Sequence, residues 1–127
     1  IAVSGTFYYG QRDTIVDIDK AFHDSKIVPD IIDTSPKELV KVTYPGNISI
    51  ELGTEITPAQ SNTEPHLTWT TKQSAYYTIA MVDPDASTRS IKHWLVMNVA
   101  GDQVSGGHIV TGYSGPHPPE GTGLHRN

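Results

Sequence analysis

The chain is 127 residues long, carries a formal net charge of −5 and is 36 % hydrophobic. That length holds one domain with one core, and the acidic balance excludes both the basic surface that duplex nucleic acid demands and electrostatic attraction to anionic membranes. No apolar run approaches the ~20 residues of a transmembrane helix, and the absence of cysteine excludes disulfides and thiolate metal sites.

Taken in chain order, the first residues, Ile1-Ala-Val-Ser-Gly5, lack an initiating methionine and are too few to establish a leader remnant. Asp13 or Thr14 is placed to cap a helix in which Ile15, Ile18, Ala21 and Phe22 recur at helical spacing. Pro29 prevents its extension, because a proline inside a helix removes a hydrogen bond and clashes with the preceding turn. The period then switches to two. Leu39 and Val40 lead into a strand through Val42 and Tyr44, and Pro45-Gly46-Asn47 reads as a turn. Ile48, Ile50 and Leu52 alternate with Ser49 and Glu51, the pattern of a half-buried strand.

Residues 57–65 form a polar loop. Leu67 and Trp69, Ala75–Val82, His93–Val99 and His108–Tyr113 mark four further strands. On the His93 strand, alternation places Leu95 and Met97 with His93, and Trp94, Val96 and Asn98 on the other face. Nine prolines and eleven glycines suit such a turn-rich β protein. The expectation is an all-β fold, an antiparallel Greek-key β-sandwich with a short N-terminal helix, in a single domain over residues 1–127.

The chemistry concentrates in residues 81–126. They read MVDPDAS, then HWLVMN, then YSGPHPPEGTGLHR. Glycines and prolines fix or free the backbone at most steps between Gly112 and Gly123. Two carboxylates, Asp83 and Asp85, and three histidines, His93, His117 and His125, can converge on whatever these turns enclose. Each feature also has a plain structural reading. An isolated Asp-Pro-Asp is most simply a turn whose carboxylates accept backbone N–H groups. A lone histidine on an apolar strand is usually a hydrogen-bonded core or edge residue, and a Gly-Pro-rich segment is often only a rigid crossover. Arg126, outside any basic cluster, reads as one half of a structural ion pair.

Taken together and in this order, the three motifs resemble the phosphatidylethanolamine-binding protein family, which includes the Raf kinase inhibitor proteins and plant flowering-time regulators. The stretch IVPDIIDTSPKELVKVTYPGN is similar to the family's N-terminal part, so the resemblance runs from about residue 15 to residue 126. It implies a non-catalytic module that binds a phosphate or phospholipid headgroup and modulates a protein kinase or serine protease through surface contacts, with no cofactor and no metal. It also implies the site residues: Asp83 and His93 line the pocket, the turn Gly115, Pro116, His117, Pro118 and Pro119 with Gly121-Thr122-Gly123 forms its third wall, and Leu124 and His125 match the family's L-H-R pattern, while Asp85 supports the turn. Glycine-rich backbone suits such a role because its N–H groups can approach an anion.

The chain departs from the family pattern at Ser87, where a proline is common, and at Asn127, where a tyrosine is common. In the family an apolar strand and a terminal helix follow the last motif. The given sequence stops at Asn127, as a fragment or cleaved form would, unless something else supplies that strand. Two further readings use the same residues. A hydrolase triad of Ser114, His93 and Asp83 lacks a G-x-S-x-G elbow, and a zinc site of Asp83, His93 and His125 lacks a close histidine pair. A protein with a vestigial pocket would act instead through its surface or an exposed strand edge. The expected setting is cytoplasmic, although Asn47-Ile-Ser is a glycosylation sequon that would act in a secreted chain.

Overall fold

The computed structural model describes residues 2–4, 17–87 and 91–127. The candidate cap residues Asp13 and Thr14, and Ile15, lie outside them. The described helix α1 runs Ile18–Asp24, and its cap is Asp17, whose carboxylate accepts the Lys20 N–H at 2.9 Å. Asp19 in the first turn and His23 in the last suit the helix dipole. A second short segment, α2 (Ile27–Asp30), follows at once, with Val28 extended inside it ahead of Pro29.

The strands are β1 (Ala2–Ser4), β2 (Lys41–Tyr44), β3 (Ile48–Ile50), β4 (His66–Thr68), β5 (Tyr76–Asp83), β6 (Ile91–Ala100) and β7 (His108–Thr111). They form two antiparallel sheets, one of order β1-β5-β6-β7 and one of order β3-β2-β4. The architecture is β-rich with few helices, as the period-two patterning predicts. One core cluster draws on both sheets: Val42, Tyr44, Leu67 and Trp69 come from the three-stranded side, and Tyr77, Ile79, Met81, Trp94, Val96 and Val99 from the four-stranded side. Burying each such side chain is worth about 1.5–3 kcal/mol against leaving it exposed. Trp69 packs edge-on against Tyr77 with ring centroids 5.6 Å apart.

Three local expectations from periodicity give way, each for a visible reason. Leu52 falls in a turn, because Thr54 and Glu51 close residues 51–54 with reciprocal hydrogen bonds and Gly53 takes a positive φ of 76°. Trp69 and Tyr113 are core residues lying just beyond the ends of β4 and β7. Asn98 does not share the face of Trp94 and Val96. It takes a φ of 55° beside a register shift, so the buried position moves on to Val99.

A second shift in the same strand matters more. Met81 pairs with Trp94 and Val82 with Lys92, which leaves His93 as the extra residue of a β-bulge. His93 and Trp94 are therefore buried side by side, where strict alternation would put them on opposite faces.

Candidate functional site

The site is built where β5 and β6 come together at the Asp83 end. Tyr77, Ile79, Met81 and Asp83 occupy the buried face of β5 in strict alternation, so the carboxylate of Asp83 is the last inward-facing group of that strand. Two donors hold it. The Asp85 N–H reaches Oδ1 at 2.8 Å, forming the turn that Asp-Pro-Asp predicts, and His125 Nδ1–H reaches Oδ2 at 2.7 Å. The Asp83 and His125 side chains are each only 5 % exposed.

His125 is held at both ends. Thr122 donates its hydroxyl proton to the Pro119 carbonyl at 2.7 Å, so its Oγ1 is left to accept from His125 Nε2 at 3.0 Å. Nδ1 thus meets the carboxylate while Nε2 lies within hydrogen-bond distance of the hydroxyl. The segment 119–125 is thereby folded onto the end of β5.

The bulge turns His93 inward. Its Nδ1–H donates to the Ser114 carbonyl at 2.9 Å, and its own carbonyl accepts the Ser114 N–H at 2.8 Å. This pair of hydrogen bonds to one residue fixes the ring and leaves Nε2 buried, without a hydrogen-bond partner among the described residues. Tyr113, one residue earlier, donates to the Ser61 carbonyl at 2.5 Å and accepts from the Tyr44 hydroxyl at 2.9 Å, and its ring stands edge-on to Trp94 at 5.5 Å. Burial, above all, pushes the Tyr113 and Tyr44 phenols upward from their ordinary range, so both remain protonated donors. Gly115 is buried against the 61–62 backbone, where an added Cβ would stand 2.7 Å from the Ser61 carbonyl oxygen.

Outside this inner layer, Arg126 serves as the structural brace that its isolation in the sequence suggests. Its guanidinium and backbone N–H hold both Asp85 oxygens at 2.6–2.9 Å, and it reaches back to Asp30 at 3.0 Å and the Ser25 carbonyl at 3.3 Å. Hydrogen bonding to Arg126 holds the Asp85 carboxyl down at about 2, below the usual carboxylate range. The helical segment and the Asp-Pro-Asp turn are thus tied through one side chain.

Of the residues expected to form the site, Asp83 and His125 are hydrogen-bonded directly, and His93 is joined to the Ser114 backbone. Pro116 and Pro118 are half-buried, whereas His117 and Leu124 are exposed. Ser114, Thr122 and Tyr113 hold the site in place through backbone or hydroxyl groups that have no signature in the sequence. The triad on paper does not assemble: Ser114 meets His93 through its carbonyl, and Asp83 is bonded to His125. Among the described residues no group of three His, Cys, Asp or Glu is arranged to hold a metal ion, and no helix is long and apolar enough to cross a membrane.

The end of β5 and the bulge of β6 thus hold a buried Asp83–His125 pair and a buried imidazole nitrogen that has no hydrogen-bond partner among the described residues. Comparison with known proteins gives the family of the chain. Residues 41–127 match the family described as phosphatidylethanolamine-binding protein, and the chain belongs to that family. It is 33 % identical over 121 residues to a Drosophila melanogaster protein named as odorant-binding protein A5, covering 91 % of this chain and 58 % of that protein. It is 32 % identical over 111 residues to a "26 kDa secreted antigen" of Toxocara canis, covering 83 % of this chain and 42 % of that protein. The chain thus spans about half the length of these relatives.

Proposed function

We propose that this chain is the core of a secreted binding protein whose pocket takes a zwitterionic, phosphate-bearing headgroup such as that of phosphatidylethanolamine, rather than an enzyme. The pocket would lie at one end of a Greek-key sandwich formed by a single domain over 1–127, lined by Asp83, His93, Gly115, Pro116, His117, Pro118, Leu124 and His125. The observation that carries this reading is His93 Nε2, a buried polar atom with no partner in a ring already fixed by Ser114. A buried group left unsatisfied costs about 1–3 kcal/mol, and a ligand oxygen would recover it.

The surrounding charges favour a ligand bearing both signs. Asp83 offers lone pairs toward an ammonium group, while His125, paired with it, keeps the carboxylate from repelling a phosphate. Apolar side chains flank the same end: Ile91, the cross-strand partner of Asp83, and Leu124, the neighbour of His125, are 42 % and 75 % exposed. Those surfaces suit the acyl part of a lipid. A secreted setting, in place of the expected cytoplasmic one, is supported by the name of the Toxocara relative and by the sequon at Asn47. Modulation of a protein kinase or serine protease, implied by the family resemblance, would follow from occupancy of the pocket and act through the outer surface.

Titration of phosphorylethanolamine against inorganic phosphate, followed by calorimetry and by the imidazole signals of His93, tests the pocket. The expected result is tighter binding of the zwitterion, lost in His93→Ala. No heat and no His93 shift with either probe would sink the reading.

A further inference from the structure

We propose that Asn47 carries an N-linked glycan, which covers the β3 edge of the three-stranded sheet. The inference rests on the secreted setting proposed above. Asn47-Ile48-Ser49 has the acceptor pattern, whereas Asn62 precedes Thr-Glu and Asn98 precedes Val-Ala, so neither of those shares it.

The structure adds what a pattern cannot. Asn47 is the last residue of the β2–β3 hairpin turn, exposed, with a φ of 59°. Asparagine in that left-handed conformation commonly folds its carboxamide onto the nearby backbone; among the described residues, the Asn47 side chain makes no such hydrogen bond and faces solvent. The left-handed backbone explains an asparagine or glycine here without any glycan. It does not explain Ser49. Ser49 stands opposite Thr43 in the β2–β3 ladder, while Ile48 and Ile50, paired with Tyr44 and Val42, belong with the core. Strand parity therefore puts the Ser49 hydroxyl on the solvent side, and Asn47, in the turn before the strand, is exposed as well. A bulky group on Asn47 would displace no packed atom.

The sheet order β3-β2-β4 leaves β3 at an edge, whose unpaired N–H and C=O groups invite pairing with another chain. A glycan at its first residue's neighbour blocks that approach. In the transfer step, the Asn47 Nδ2 forms a bond to the anomeric carbon of a lipid-diphosphate-linked oligosaccharide. The sugar–oxygen bond to the diphosphate breaks, one amide proton is lost, and the lipid diphosphate leaves. The co-reactant and its transferase are those of the eukaryotic secretory lumen.

The test is the intact mass of the full-length protein made in eukaryotic cells, from medium and from lysate, before and after amide-cleaving endoglycosidase. The expected result is protein in the medium with a glycan increment that the enzyme removes, leaving Asp at position 47. Ser49→Ala should abolish the increment while keeping the turn asparagine, Asn47→Gly should abolish it while keeping the left-handed turn, and Ser49→Thr should retain or raise occupancy. Protein in the medium without the increment overturns the glycan and leaves the secreted reading standing. Protein confined to the lysate and unmodified overturns both.

Discussion

The strand-borne wall of the site and its loop-borne wall differ in how their side chains are held. Asp83 and His93, at the end of β5 and on the bulge of β6, are 4 % and 7 % exposed, and each is hydrogen-bonded to a backbone group or a buried partner. His117 and Leu124, on the Gly-Pro-rich segment, face solvent. The same chain thus supplies a preorganised floor and an open rim. On the proposed reading, the sheet would orient a ligand and the loop would meet its non-polar part. The floor should therefore govern stability and headgroup recognition together, and the rim should govern only the reach of the site.

The largest effect that separates the two walls is expected from Asp83→Ala. It removes the acceptor for the Asp85 N–H and strands His125 in a pair whose side chains are each 5 % exposed. Leaving the buried imidazole without its acceptor costs about 1–3 kcal/mol, with the loss of the Asp85 N–H bond added, readable as a lower urea midpoint with an unchanged slope. Asp83→Asn, which keeps an acceptor oxygen, should lose clearly less. A change within about 0.5 kcal/mol for Asp83→Ala, the size of an ordinary surface substitution, would show that the floor is not held as described.

The next effect compares two glycines of one segment. At Gly115 a Cβ would stand 2.7 Å from the Ser61 carbonyl oxygen and 3.0 Å from Asn62 Cα, whereas at Gly112 it meets nothing within 4 Å. Gly115→Ala must push backbone against backbone and should cost about 1–3 kcal/mol. Gly112→Ala should stay within about 0.5 kcal/mol. Equal losses in thermal unfolding would remove the distinction between the clamped start of the loop and its free part.

A smaller, pH-dependent effect belongs to the brace. The folded-state carboxyl of Asp85 is held down at about 2, against 3.8 without its partners, chiefly by hydrogen bonding to Arg126. A depressed carboxyl contributes its stabilisation above the unfolded value, so the contribution is complete above about pH 4 and is lost as pH falls toward 2. Asp85→Asn should flatten that limb of the stability profile. An identical acid limb in the variant would mean that the exposed pair with Arg126 contributes nothing measurable, as many surface pairs do.

Much of this arrangement was legible in the sequence. Period-two patterning located β2, β3, β5, β6 and β7 to within a few residues, because alternation reports directly which face is buried. Asp-Pro-Asp announced its own turn. What alternation cannot encode is a bulge: the extra residue at His93 and the shift beside Asn98 are decided by pairing with β5, so the burial of His93 beside Trp94 was invisible from spacing alone. The contacts of Tyr113 with Ser61 and Tyr44 join residues 52 and 69 positions apart. They use a backbone carbonyl and a phenol that any sequence offers many times over. The pairing of Asp83 with His125 spans 42 positions and came within reach only through the family resemblance.

The smallest effects on folding should come from the rim, and they test the division of labour most sharply. His117→Ala and Leu124→Ala remove exposed side chains without recorded partners among the described residues, so each should change unfolding free energy by no more than about 0.5 kcal/mol. Their binding signatures should nevertheless diverge. Leu124 is 75 % exposed and precedes His125 in the chain, so on the proposed reading it would meet the acyl part of a lipid and not the headgroup. Leu124→Ala should then weaken capture of a short-chain phosphatidylethanolamine while leaving phosphorylethanolamine affinity unchanged, and each methylene-sized contact it loses should cost about 0.8 kcal/mol. A parallel loss for both ligands would place Leu124 with the floor. Unchanged affinity for both would leave the apolar rim without a part in binding and confine recognition to Asp83, His93 and His125.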